Sequence, residues 1–202
     1  MKKLIIIPVL TILLFAGCRS TKPVQNNFFI LELPSELIED TQIRIRTLDA
    51  TCELRKVEVA PPYASHQIAI REDTHRIRYF SFNEWAHRPD LSLTNMTMTL
   101  LEKHRLFREI VTGRLRETPD YTLNTKVHRL EVLHLDEAFE AKLVVEFTLL
   151  EAATANPVVH HRASRSRTLQ ENSLNLFASA VSDLFAEEVV VFMTLAIKEL
   201  AN

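Results

Sequence analysis

The second half of the chain shows an alternation of apolar and polar residues that continues over two long runs. The runs cover 121–135 and 137–151 and are joined by a polar connection near Asp136. A period of two predicts antiparallel strands with one face on a core and the other in solvent. A turn at 153–157 then leads into a third predicted long strand at 158–169. In the second run the predicted core face is formed by Ala141, Leu143, Val145, Phe147 and Leu149.

Shorter runs in the first half of the chain predict further strands. The first run ends at Pro34, and the second ends at the pair Pro61 and Pro62, because proline cannot donate to a strand ladder. A turn is expected around 71–74. Residues 35–50 are ambiguous and could hold a helical turn followed by a strand at 42–46. The other strands are predicted at 28–33, 54–62, 67–73, 74–81 and 106–111.

Two stretches carry apolar residues at helical spacing. The first begins near Pro89 or Asp90, where proline is tolerated in the first turn of a helix, and ends around 103–105. The second begins at Ser173, which suits the N-cap position, and runs to Leu200. The apolar face of the first helix is formed by Leu93, Met96, Leu100 and Leu101, with His104 as a further candidate.

The order of these elements predicts the fold class. Strands are followed by a helix, a strand, three antiparallel strands and a final helix, without an internal repeat. Helices segregated onto one face of a sheet are typical of an α+β fold. We therefore predict a single domain over 28–202, an α/β sandwich with a mainly antiparallel sheet and two helices packed on one face.

The final helix is apolar around most of its circumference between Val189 and Ile197, and not only along one stripe. A helix of this kind is buried on several sides. One interpretation is a central core helix under the sheet. The other is burial partly by a neighbouring subunit or a partner protein, in which case Val189, Phe192 and Leu195 are candidate partner-interface residues.

The N-terminus carries the features of a lipoprotein signal. Residues 1–17 combine two lysines, an apolar run too short to span a bilayer, and a small-small ending, followed by Cys18. Acylation of the Cys18 thiol after cleavage would anchor the chain in a membrane by its lipid. Residues 18–27 are then a lipid-anchored tether. Arg19, in place of the aspartate that retains lipoproteins in the inner membrane, indicates the outer membrane and the periplasmic side.

Composition excludes several classes of function. The formal net charge is −2 and becomes more negative when Lys2 and Lys3 are removed with the signal, which argues against a nucleic-acid partner. The chain has two glycines, too few for a glycine-rich phosphate loop. With Cys18 acylated, Cys52 has no partner for an internal disulfide and is predicted to be a small buried or half-buried residue, with a reactive thiol as the alternative.

The candidate chemical groups do not form a catalytic or metal-binding pattern in the sequence. His160 and His161 are neighbours on a predicted strand, so their side chains point to opposite faces and do not share a metal ion. Arg162, Arg165 and Arg167 are either solvent-facing charges at a sheet edge or contacts for lipid headgroups or an acidic partner. No nucleophile elbow of the form G-x-S-x-G occurs. We therefore predict no enzymatic activity, no metal and no cofactor.

The middle of the chain resembles the ABC-type transport auxiliary lipoprotein family. The features that carry the resemblance are a proline-bounded turn, a strand ending in arginine, a Trp-Ala pair followed by proline, a helix, and a strand that opens with phenylalanine. The aromatic opening strand, FFILELP, and the lipoprotein signal agree with it. In this chain the matching positions are Pro61, Pro62, Ile68 to Arg71, Trp85, Ala86, Pro89 and Phe107.

The resemblance implies a periplasm-facing lipoprotein that assists an MCE-type lipid transport system. Its partners would be an MCE-domain protein and ABC permease and ATPase subunits, with phospholipid and a second copy of the chain as further candidates. The implied fold is the α/β sandwich derived above. Trp85 matches the family pattern, and we interpret it as a core or helix-entry anchor without a ligand role. The alternative is a structural or assembly lipoprotein of the cell envelope that takes no part in transport.

Overall fold

The computed structural model describes residues 25–35, 47–113, 118–135 and 138–200. Within these ranges it contains one mixed sheet, two α-helices and a short 3-10 helix at Pro61–Tyr63. The strands are β1 (Asn27–Phe29), β2 (Leu48–Leu54), β3 (Glu58–Val59), β4 (Gln67–Asp73), β5 (Arg76–Trp85), β6 (Phe107–Val111), β7 (Tyr121–Leu135), β8 (Ala138–Glu151) and β9 (Pro157–Thr168). The helices are α1 (Pro89–Lys103) and α2 (Leu174–Leu200).

The three long strands β7, β8 and β9 form the antiparallel meander that the alternation predicts. Tyr121 is paired with Glu151 at one end of the β7–β8 ladder, and Leu135 with Ala138 at the other. β9 then pairs antiparallel with β8 along its whole length. The predicted core face of β8 is confirmed, because all five of its residues are fully buried.

The prediction of a mainly antiparallel sheet is wrong, because the sheet is mixed. The free edge of β7 takes three parallel partners in succession: β2 at 121–123, β3 at 126–127 and β4 at 132–133. Two more pairings, β1 with β5 and β2 with β6, are also parallel. Alternation indicates which face of a strand is buried, but it does not indicate the direction of the neighbouring strand. The sequence pattern therefore could not distinguish parallel from antiparallel pairing.

A β-bulge in β7 reverses which side chains face the core. Val127 pairs with Val145 and Arg129 with Val144, so β7 has one residue more than β8 at this point. The core-facing positions are therefore odd before the bulge and even after it, at Leu130 and Val132. The side chains between them, including that of Glu131, point to the opposite face of the sheet.

Both helices agree with their predicted boundaries. α1 begins with Pro89 in its first turn and ends at Lys103, where the chain turns at Arg105 with a φ of 49°. The hydroxyl of Ser173 accepts a hydrogen bond from the Leu176 N–H at 3.4 Å, which confirms the predicted N-cap of α2. α2 packs against β8, β9, β1 and α1, so several sides of it are covered.

The early strands differ most from the prediction. β1 is shorter than the predicted strand over 28–33, and the predicted strand over 54–62 is instead the end of β2 and the two-residue β3. Between these two, the N–H of Val57 donates to the Thr94 hydroxyl of α1 at 2.9 Å, so the segment 55–57 leaves the sheet. The ambiguous strand at 42–46 lies outside the described residues.

Candidate functional site

The predicted lipid anchor, Cys18, lies outside the described residues, and its acylation stays a prediction. The described chain begins at Gln25, two residues before β1. Among the described helices, none is both long and apolar enough to cross a membrane. A lipid at Cys18 would therefore attach the chain ahead of the first strand of the sheet.

Most of the candidate interface on α2 is buried within the chain itself. Val189 and Phe192 are fully buried within the chain itself. The Phe192 ring is stacked on that of Phe147 with 5.4 Å between ring centroids, and Phe185 lies 5.9 Å from the same ring. Of the three predicted residues, only Leu195 keeps partial exposure, and it too packs against the core. The interpretation of α2 as a core helix accounts for its apolar circumference.

Two of the three arginines of β9 are ion-paired with α2. Arg165 and Arg167 alternate with outward-facing residues and therefore share the face that meets the helix. Arg167 donates to Asp183 at 2.6 Å and to Glu187 at 2.7 Å. Arg162 lies on the other face, exposed and 4.0 Å from Glu146. The three arginines thus do not form one cationic surface, and two of them fasten β9 to α2.

A buried carboxylate, Glu188, is the centre of this contact. It accepts from the Arg165 guanidinium at 2.9 Å, and its other oxygen lies 2.7 Å from His161 Nε2. His160 is exposed on the opposite face beside Thr148, so the prediction that the two histidines point apart is confirmed. Burial of a carboxylate is tolerated here because both of its oxygens have a partner.

A second buried carboxylate, Glu131, was missed by the sequence reasoning. It is fully buried, and it accepts from Arg71 Nε at 2.9 Å, from the Tyr63 hydroxyl at 2.7 Å and from Arg129. Burial alone would raise the pKa of Glu131, but hydrogen bonds from Arg71, Tyr63 and Arg129 outweigh it and lower that pKa. The signal in the sequence that could have identified Glu131 is the point in β7 where the core-facing residues change from odd to even positions.

A groove of about 860 Å³ lies beside the break between β2 and β3. Because the segment 55–57 leaves the sheet, the edge of β7 at Asn124 and Thr125 stays uncovered by a strand. The start of α1 closes the other side. The groove is thus a consequence of the same break that shortens β3.

The rim of this groove is charged and internally paired. Asp90 Oδ2 lies 2.6 Å from Lys56 Nζ and 2.9 Å from Arg88 Nη2. Burial would raise the pKa of Asp90, but Lys56 and Arg88 lower it, together with the N–H of Leu91. Asp90 lies in the first turn of α1, where a carboxylate is favoured by the helix dipole. The charged groups at the rim are therefore structural partners of one another.

The remaining candidate groups are accounted for by the core. Burial raises the pKa of the Cys52 thiol to about 12, so Cys52 is an unreactive core residue, as predicted. Trp85 is 2% exposed and packs on Phe177 with 5.7 Å between ring centroids, which agrees with a core anchor. Among the described residues, no three His, Cys, Asp or Glu side chains are arranged to hold a metal ion.

Comparison with known proteins gives a family and a fold. A family model described as the ABC-type transport auxiliary lipoprotein component matches residues 33–190. No curated protein matches the chain significantly.

Solved structures share the architecture at low sequence identity. A crystal structure of a Xanthomonas campestris protein has a TM-score of 0.72 at 14% identity, covering 85% of this chain and 96% of that one. A second crystal structure, of an uncharacterized protein, has a TM-score of 0.64 at 14% identity, with coverages of 84% and 97%. At these identities the structural similarity establishes only the fold. The assignment of the chain to a family depends on the match to the family model.

Proposed function

Since this chain belongs to the family of ABC-type transport auxiliary lipoprotein components, we propose that it is a non-catalytic, membrane-anchored accessory subunit of an ABC transport system. We further propose that the system is of the MCE type and moves phospholipid between the inner and outer membranes. The family match over 33–190 is the observation that carries the role of an accessory subunit, whereas the MCE and phospholipid part rests on the sequence resemblance alone. The lipoprotein signal in residues 1–18 of the sequence supports the membrane anchor.

The proposed anchor is the lipid on Cys18, with the domain on the periplasmic side of the outer membrane. Arg19 after the acylated cysteine supports the outer membrane over the inner one. The tether from Cys18 to the first strand spans at most about 30 Å. The domain would therefore stay close to the membrane surface and meet its partners there.

The proposed partners are separate chains: an MCE-domain protein, a permease and an ATPase. The ATPase is assigned to another chain because the two glycines here, Gly17 and Gly113, are too few for a phosphate loop. The core position of Val189 and Phe192 directs the search for the partner contact to exposed surfaces of the domain. A second copy of the chain remains a candidate partner.

Affinity capture of the full-length, lipidated protein from native membranes tests the proposal. Mass spectrometry of the captured material should identify MCE-domain, permease or ATPase subunits. A Cys18→Ala variant is the matched control, because it keeps the domain and removes the anchor. Recovery of only wall-associated or envelope-assembly proteins would contradict the transport role and favour the alternative of a structural lipoprotein.

A further inference from the structure

The outer face of the sheet carries exposed apolar side chains at the edge where the tether enters. Phe28 is 62% exposed, and Ile30 and Phe82 are each 49% exposed. They are the three most exposed large hydrophobic residues of the described chain. An exposed apolar group of this kind marks a surface that meets a membrane or another protein.

The strand register brings these side chains to one face. β1 runs parallel to β5, with Phe29 opposite Trp85 and Phe28 opposite Glu84. Phe29 and Trp85 face the core, so Phe28 faces outward. Phe82 precedes Glu84 by two residues, next to the regular register of 83–85 with β1, and its 49% exposure agrees with an outward-facing position.

The edge continues beyond the end of β1. The carbonyl of Phe29 accepts a hydrogen bond from the Ala86 N–H at 2.7 Å, so β5 stays paired to β1 one residue past Trp85. Ile30 follows Phe28 by two residues and is exposed just past the end of β1. We call Phe28, Ile30 and Phe82 the edge patch.

The position of the edge patch in the chain identifies what covers it. Phe28 lies ten positions after Cys18, a distance of at most about 35 Å when the chain is fully extended. A lipid on Cys18 therefore keeps this edge of the domain within that distance of the bilayer. From this geometry we infer that the edge patch rests in the headgroup region of the membrane and fixes the orientation of the domain; the inference relies on the proposed lipid anchor.

The lipid anchor also explains how only three exposed side chains can fix the orientation of the domain on the membrane. Once the lipid is inserted, contact between the patch and the bilayer is an intramolecular event at high effective concentration. The patch then needs no measurable membrane affinity of its own. Aromatic and aliphatic side chains of this kind settle at the boundary between headgroups and acyl chains.

A single fluorophore on the edge patch tests this orientation. In a Phe82→Cys variant of the full-length, lipidated protein, the new thiol is the reactive one, because Cys18 is acylated and Cys52 is buried with a pKa of about 12. The thiol is labelled with an environment-sensitive dye. The protein is reconstituted into vesicles of phosphatidylethanolamine and phosphatidylglycerol that contain a spin-labelled phospholipid quencher.

The matched control places the same dye on Ala153→Cys, in the exposed turn between β8 and β9. This turn lies beside the start of β7, because Glu151 pairs with Tyr121. Glu84, two residues after Phe82, pairs with Gln67 of β4, and Ile70, three residues after Gln67, pairs with Val132 of β7. The label at residue 82 therefore lies about eight residues along β7 from the turn, which is roughly 26 Å at about 3.3 Å per residue. We expect quenching by the lipid to be at least three-fold stronger at residue 82 than at residue 153. A Phe28→Cys variant should behave as Phe82→Cys does.

Flotation of the same vesicles separates the two proposals. Protein that floats with the vesicles but shows equal quenching at residues 82 and 153 overturns the membrane orientation and leaves the anchor intact. A blue-shifted dye without lipid quenching also overturns it, since the patch is then covered by protein. Protein that does not float overturns the anchor, and with it the orientation.

Discussion

The strongest test of the fold concerns Glu131, the buried carboxylate that joins β4 to β7. Replacing it in a Glu131→Ala variant leaves the Arg71 guanidinium without its main partner, and Arg71 is only 17% exposed. Removing one member of a buried ion pair costs about 3–5 kcal/mol. Arg129 is 36% exposed and regains hydration, so we expect the lower end of this range, about 3 kcal/mol.

Urea unfolding followed by circular dichroism measures this change. With a slope of about 2 kcal/mol per molar urea for a domain of this size, a loss of about 3 kcal/mol lowers the midpoint by about 1.5 M. The matched control is Asp49→Ala, which removes an acid whose partner, Arg108, lies at 2.5 Å but whose side chain is 87% exposed. An exposed pair of this kind contributes about 0–1 kcal/mol, so the control should shift the midpoint by less than about 0.5 M.

The pH dependence of this loss of unfolding free energy identifies its electrostatic origin. The pKa of Glu131 is lowered below its ordinary value of 4.5, so the unfolded chain binds more protons than the folded one as the pH falls below that value. Its contribution is therefore complete above about pH 4.5 and is lost as the pH falls through the folded pKa. The difference in unfolding free energy between the parent and Glu131→Ala should narrow on acidification. A difference that stays constant down to pH 3.5, or one that is no larger at pH 7 than the difference for Asp49→Ala, would refute the reasoning.

The other predictions concern the anchor, the core helix and the free thiol. Cys18→Ala should move the protein from the membrane fraction to the soluble fraction of the cell envelope, whereas Cys52→Ala should not. Phe192→Glu should abolish cooperative unfolding, because it places a charge in a fully buried site, whereas Val191→Glu, on the 40% exposed face of the same helix, should change the free energy of unfolding by less than about 0.5 kcal/mol. In the native protein, Cys52 should react with a thiol reagent only after unfolding; reaction at the rate of free cysteine would contradict its burial.

The meander and the helices could be predicted from the sequence because their signals are local. Alternation over fourteen residues of β8 fixes which face is buried, and a proline at the start of α1 fixes where that helix begins. The family resemblance also depends on such local features, among them Trp85 and Pro89, and the match over 33–190 confirms it.

The partners of the short strands could not be predicted, since they depend on residues far apart in the chain. β2, β3 and β4 have two to seven residues each, and every one of them pairs in parallel with a part of β7 about 60 or 70 positions later. For the same reason the sequence left the arginines of β9 open between solvent and a partner, and it did not indicate that two of them meet α2. Arg165 meets Glu188 only because α2 returns across the sheet.

The buried carboxylate and the exposed patch are related through β7. The β1–β5–β4 wing, which carries Phe28 and Phe82, meets β7 through the pairs Ile70–Val132 and Arg71–Leu133. Two residue pairs make a short contact between β4 and β7. Glu131 of β7 strengthens this contact because its carboxylate binds Arg71 of β4. The bulge in β7 is what turns Glu131 toward that arginine. A one-residue irregularity in the central strand therefore helps to hold the edge that the proposed anchor brings to the membrane.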